Sequence, residues 1–190
     1  MSNIVVLVKQ VPDTYSERKL NEDDFRLDRD SADAVLDEIN ENAVEAALQL
    51  KEADDSRNVI VLSVGPTRAT EALRKALSLG CDEAILVTDE ALEGSDVLGT
   101  AWTLSNALNQ IEDIELIIAG NASTDGVAGA IPGLLAEYRQ IPALTHMETL
   151  AVEGGKVTGN RVTEEGVFGL EAPTPVSYTH LRAHETDSYL

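Results

Sequence analysis

Four short apolar runs, at positions 4–8, 59–64, 85–87 and 116–119, recur along the chain without polar alternation, and each ends in a turn signal. Continuous runs rich in β-branched residues are the pattern of strands covered on both faces, as in a parallel sheet. Between them apolar positions return with helical period: Ile39, Ala43, Ala46, Ala47 and Leu50; then Ala69, Leu73, Ala76 and Leu77; then Val97, Ala101, Leu104 and Leu108. Each set is a stripe suited to face a sheet. This alternation predicts an α/β fold, a doubly wound, mainly parallel, Rossmann-like sheet with right-handed crossovers. Beyond Pro142 two stretches, residues 145–152 and 156–163, are joined by Glu153-Gly154-Gly155, which predicts a β-hairpin beside the main sheet.

Ligands of such sheets sit beyond the carboxyl ends of the strands. The segments expected to converge there are residues 9–15, the run ahead of the first helix, Val64-Gly65-Pro66, and residues 120–132. The last is the most informative, because an apolar strand runs into a loop with Gly120, Gly126 and Gly129 and then into a helix. Glycines let a backbone approach an anion, and a helix amino terminus presents unpaired N–H groups and a positive dipole end. The loop has neither the Gly-Lys-Ser/Thr of a hydrolytic P-loop nor the G-x-G-x-x-G spacing, so nucleotide binding is better supported than turnover. On residues alone, a plain glycine-rich connection between strand and helix stays open beside it. Pro66 and Pro132 suit the first turn of a helix.

At 190 residues and 43% hydrophobic content, one domain with one core is expected. The formal charge of −20 excludes a nucleic-acid binder that lacks a compensating basic patch. The apolar run at the amino terminus is too short for a signal-peptide core or a membrane span, so no membrane insertion and a cytoplasmic location are expected. A lone Cys81 fits a reducing compartment and reads as a buried filler. Between Asp13 and Asp55 fifteen acids face five bases, read as solvated surface. Asn21-Glu22-Asp23-Asp24 lacks the register of a calcium loop, and no metal site is expected. Trp102 reads as a partly buried packing residue and His146 as a hydrogen-bonded structural one.

Four motifs in order, Val5 to Thr14 (Val-Val-Leu-Val-Lys-Gln-Val-Pro-Asp-Thr), Asp37-Glu38-Ile39-Asn40-Glu41-Asn42, Ser63-Val64-Gly65-Pro66 and Ala119-Gly120-Asn121-Ala122-Ser123-Thr124-Asp125-Gly126, closely resemble the β subunit of electron transfer flavoprotein, nearest its actinobacterial branch. The resemblance spans residues 1–173. It implies a heterodimer with an α subunit that holds a redox-active FAD, while the β subunit binds AMP structurally and helps enclose the flavin. It implies electrons arriving from acyl-CoA and related dehydrogenases and leaving to a membrane quinone oxidoreductase, with no catalytic residue in this chain. Carried over by position, the AMP contacts are Leu7, Asp37, Glu38, Ile39, Asn40, Val64, Asn121, Ala122, Ser123, Thr124, Asp125, Gly126, Val127, Ala128, Gly129, Ala130, Ile131 and Pro132, with Thr14 and Tyr15 toward the flavin. Asp37-Glu38-Ile39-Asn40 departs from the common Asn-Pro-Phe/Tyr-Asp, and Val127 and Ala130 replace an acid and a glutamine. Some relatives of this kind hold a second FAD in the same pocket.

From Pro175 onward the sequence departs from the family pattern, which continues with an apolar strand, an Asn-Glu-Pro-Arg segment, a docking loop and an arm around the α subunit. The expectation is a domain over residues 1–173, carboxyl-terminally truncated, followed by a foreign or disordered tail, residues 174–190, without a central strand. His180 and His184 share helical spacing but no further ligands, so no metal is expected there. The rival readings are an ATP-using enzyme or ATP-binding stress-type protein on the same sheet, and a fragment without function. Residues 9–13 offer the first of these no phosphate-gripping loop.

Overall fold

The computed structural model describes residues 1–180. Its elements are β1 (Ser2–Leu7), β2 (Gln10–Pro12), β3 (Ala34–Leu36), α1 (Glu38–Ala53), β4 (Arg57–Val64), α2 (Thr70–Leu79), β5 (Glu83–Val87), α3 (Val97–Leu108), β6 (Ile114–Gly120), α4 (Ile131–Arg139), β7 (Ala143–Met147), β8 (Ala151–Glu153), β9 (Lys156–Thr163), β10 (Gly166–Pro173) and β11 (Val176–His180). A nine-stranded sheet runs β10-β9-β7-β11-β6-β1-β4-β5, with β8 paired to β9. The stretch from β7 to β5 is parallel, as the unbroken apolar runs predicted.

Alternate residues of each central strand feed two cores. Ile4, Val6, Val59, Val61, Leu116 and Ile118 pack on one face with Ala43, Val44 and Ala47 of α1 and Ala72, Leu73 and Ala76 of α2. Val5, Leu7, Leu62, Ile117 and Ala119 pack on the other with Leu104 and Leu108 of α3 and Leu135 of α4. Helices on both faces make the sheet doubly wound. Helix starts follow their capping chemistry: Asp37 caps α1 by accepting the Ile39 N–H, and Asp96 caps α3 by accepting that of Gly99 at 2.7 Å. Gly80, with φ 121°, ends α2. Pro132 lies in the first turn of α4, whereas Pro66 precedes a short 3-10 turn ahead of α2.

The expected hairpin is only part of the architecture beyond Pro142. Gly154 and Gly155, at φ 57° and 74°, turn β8 back onto β9, but the first half of the expected stretch belongs to β7, a strand of the main sheet. A second hairpin, β9–β10, extends the edge.

The largest correction concerns β11. The tail expected to lack a central strand places Val176–His180 between β6 and β7, parallel to both. Its polar residues are buried with partners: Ser177 donates to the Pro132 carbonyl at 3.0 Å, Thr179 Oγ1 accepts the His146 amide at 2.8 Å, and Tyr178 donates to the Thr149 carbonyl at 3.0 Å. A strand whose hydroxyls are all satisfied needs no apolar run. His180 sits at its end, and His184 lies outside the described residues.

His146 is the second correction: its side chain is exposed, its φ is 58°, and its ring has no hydrogen-bond partner among the described residues, whereas its backbone N–H donates to Thr179 Oγ1. Trp102 stacks edge-on against Tyr138 with centroids 5.5 Å apart, yet it stays 59% exposed. Cys81 is a buried filler whose thiol burial pushes up to about 11.

Candidate functional site

At the carboxyl end of the sheet, the chain leaving β1 is stitched to the start of α1. The Lys9 N–H donates to Asn40 Oδ1 at 2.8 Å, and the Lys9 carbonyl accepts the Asp37 N–H at 3.0 Å. Asp37 is fully buried, and its second carboxylate oxygen accepts the Thr124 N–H at 2.9 Å. Three segments far apart in sequence are thereby locked at one point. Gly120 makes the close approach possible, since a Cβ there would lie 2.7 Å from Ile39 Cγ2 and 2.9 Å from Asn40 Nδ2. This glycine serves the close packing of α1, a role other than the approach to an anion expected of it.

Electrostatics hold that loop. The Asp125 side chain has no exposed surface and lies between Lys9 Nζ, 2.8 Å away, and the guanidinium of Arg29. Gly126 N–H donates to the same carboxylate at 2.7 Å. Burial alone would raise the Asp125 pKa, but the hydrogen bonds from Lys9 and Ser123 and the charges of Lys9 and Arg29 hold it well below the usual carboxylate range. Asp37 goes the other way: burial raises it, the amides of Thr124 and Ile39 pull it partly back, and the negative Asp125 adds to the rise. Arg18 closes the outside, donating to the Thr124 carbonyl at 3.0 Å.

Past Asp125 the backbone turns through Val127 and Gly129, at φ 50° and 62°, and enters α4 without any side-chain cap. Among the described residues no partner accepts from the amides of Ala128, Gly129, Ala130 or Ile131, and residues 126–130 are exposed. No acid occupies the first turn of α4. Unpaired amides at an uncapped, uncountered helix start fit a phosphate or carboxylate. Leu7, Val64, Ala119 and Ile131 belong to one apolar cluster at the ends of β1, β4 and β6, with Leu7 and Ala119 buried and Val64 and Ile131 partly buried.

The expected contact residues thus divide. Leu7, Val64 and Ile131 belong to the apolar cluster at the carboxyl end of the sheet, Ala128, Gly129 and Ala130 are exposed in the loop before α4, and Pro132 is buried. The side chains of Asp37, Asn40, Ser123, Thr124 and Asp125 are occupied with one another or with Lys9. Ile39 packs against Gly120, Glu38 points to solvent, Val127 is 71% exposed, and Asn121, Ala122 and Gly126 contribute backbone. Tyr15 is 96% exposed, and its neighbour Thr14 is exposed as well. Arg18 and Arg29 were not anticipated, because nothing local in an acid-rich stretch marks which base will reach a loop some hundred residues away.

Over residues 24–176 the sequence matches the family model described as Electron transfer flavoprotein domain. It is 62% identical over 179 residues to the electron transfer flavoprotein subunit beta of Mycobacterium leprae (strain TN), covering 92% of this chain and 67% of that protein. It is 59% identical to the subunit of the same name from Mycobacterium tuberculosis (strain ATCC 25618 / H37Rv), with the same coverage. A more distant relative is the caffeyl-CoA reductase-Etf complex subunit CarD of Acetobacterium woodii, 32% identical over 187 residues, covering 98% of this chain and 71% of that protein.

Proposed function

The chain belongs to the electron transfer flavoprotein family, on its β-subunit branch, and from that premise we propose that it binds AMP structurally and pairs with an α subunit to enclose that subunit's FAD. The observation that carries the AMP reading is the uncapped start of α4, whose amides from Ala128 to Ile131 have no partner among the described residues and where the partly buried Ile131 and Val64 pack on one apolar cluster. The phosphate sits on those amides and the adenine lies against Leu7, Val64 and Ile131. A neutral helix start without an acid in its first turn favours the dianion. The side chains of Asp37, Asn40 and Asp125 act one step back, shaping the loop that carries the amides.

FAD supplies the electron chemistry when bound. This chain's contribution is geometric: it excludes water from one side of the flavin and fixes the α subunit. Electrons arrive from acyl-CoA and related dehydrogenases and leave to a quinone oxidoreductase, in the cytoplasm. The ATP-using alternative loses support because Lys9, whose ammonium reaches the loop, is paired with Asp125. Among the described residues no helix is long and apolar enough to cross a membrane.

The test is co-expression with the cognate α subunit carrying the affinity tag. The expected result is a yellow complex that retains this chain and is reduced by an acyl-CoA dehydrogenase and its substrate. An α subunit recovered alone would overturn the pairing.

A further inference from the structure

Between Pro12 and Ala34 the chain makes an excursion, residues 13–33, whose base is closed by the Asp13 N–H on the Asp33 carbonyl at 2.8 Å. No residue in it is buried, and of its large apolar side chains only Leu27 is partly covered, while Tyr15 is exposed by 96%, Leu20 by 61% and Phe25 by 75%. Apolar packing therefore does little to hold it down. Its ties to the body are polar and charged. Arg18 reaches the Thr124 carbonyl, Arg29 reaches the buried Asp125, and Asp30 pairs with Arg68, beyond the end of β4, at 2.5 Å. Two of these ties land on the loop that leads into α4. The facing atoms, Arg29 Nη1 and Asp125 Oδ2, are both shut off from solvent and have no other partner among the described residues.

We propose that Arg29 is a positioning residue for the nucleotide loop: from a strap held down by charge it clamps Asp125 opposite Lys9, so that strap closure and nucleotide retention favour each other. The inference rests on the reading that the start of α4 holds AMP. Its physical basis is linkage. Asp125 fixes the Gly126 amide and, with Ser123, the turn from which the amides of Ala128 to Ile131 emerge. Releasing one of its two cations loosens that turn, and a loop already ordered by AMP returns the favour by holding Asp125 where Arg29 can meet it. Lys9 remains on Asp125 when Arg29 is changed, so the carboxylate is never left buried and unpaired.

The experiment uses the purified heterodimer and compares wild type with Arg29→Gln and Arg29→Lys. AMP dissociation is followed by trapping the released nucleotide, and closure of the strap by amide hydrogen exchange over residues 14–32. The expected result for Arg29→Gln is AMP loss at least about fivefold faster, the low end of ordinary site-to-site coupling, together with faster strap exchange. Arg29→Lys should restore most of both. Unchanged AMP loss and unchanged strap exchange in Arg29→Gln, with AMP present in both proteins, would overturn the clamp. Absence of AMP from the wild-type heterodimer would instead overturn the nucleotide reading, and the coupling with it.

Discussion

Asp37 and Thr124, 87 positions apart, are joined by a 2.9 Å hydrogen bond from the Thr124 amide to a carboxylate that also caps α1. One buried side chain thus sets both the start of the first helix and the path of the loop. Asp37→Ala should cost about 1–3 kcal/mol, the range for losing a cap and leaving a buried amide unsatisfied. Asp37→Asn, which keeps one good acceptor for two amides, should fall between. Urea unfolding at neutral pH gives the comparison.

The two buried carboxylates should shape the acid limb of stability in opposite directions. Asp125 has a depressed pKa in the fold, so its contribution is complete above the unfolded value of about 3.9 and is lost as pH falls through the folded value. Asp37 has a raised pKa, so its charged form costs stability at neutral pH and protonation relieves that cost as pH falls through the folded value toward the unfolded one. Unfolding midpoints from pH 7 downward should therefore show Asp125→Asn most damaging above roughly pH 4, with the gap to wild type closing below it. Asp37→Asn should remove the opposing trend. A constant gap for Asp125→Asn across the acid range would contradict the assignment.

At the opposite end of the sheet Arg57, 8% exposed, binds Glu115 at 3.0 Å and donates to the carbonyls of Leu50 and Val152. Arg57→Ala strands a half-buried carboxylate and two carbonyls, and should cost about 3–5 kcal/mol. Nucleotide retention by the folded fraction should not change, because the site lies at the other end of the strands. Denaturation with and without AMP separates the two effects.

Tyr178 is fully buried in β11 and its hydroxyl reaches the Thr149 carbonyl. Tyr178→Phe should cost about 1 kcal/mol for the hydrogen bond. Tyr178→Ala should cost about 3–5 kcal/mol, as large buried aromatics do. Near-neutral behaviour of Tyr178→Ala in thermal unfolding would mean that β11 does not occupy the centre of the sheet.

Gly133 has no atom within 4 Å of where a Cβ would stand, in the first turn of α4. Gly133→Glu should stabilise the free chain by about 0.5–1 kcal/mol, through helix propensity and the helix dipole. The same carboxylate should repel a phosphate and lower AMP retention. Stability and binding moving in opposite directions is the expected outcome, read by thermal unfolding and nucleotide content.

The parallel centre was legible because Val5, Val6, Val59, Val61, Ile117 and Ile118 need no polar alternation when helices cover both faces. The ends of β1, β4 and β6 were legible for the same reason, and Leu7 and Val64 do end β1 and β4. Strand β11 was not, since Ser177 and Thr179 look like surface residues until Pro132 and His146 are known to face them. The ionic ties of residues 13–33 were hidden by their surroundings: a base among many acids does not announce its partner. Asp37 and Asn40 were expected as ligand contacts from the family resemblance, whereas their side chains bond the protein's own backbone.

The nucleotide content of the heterodimer decides whether the start of α4 holds AMP. Acid release and chromatographic quantitation should give AMP and FAD in equal amounts, with Gly133→Glu depleting AMP and sparing FAD. A flavin-containing heterodimer whose wild-type form carries no adenine mononucleotide would contradict the assignment of the α4 start as its site.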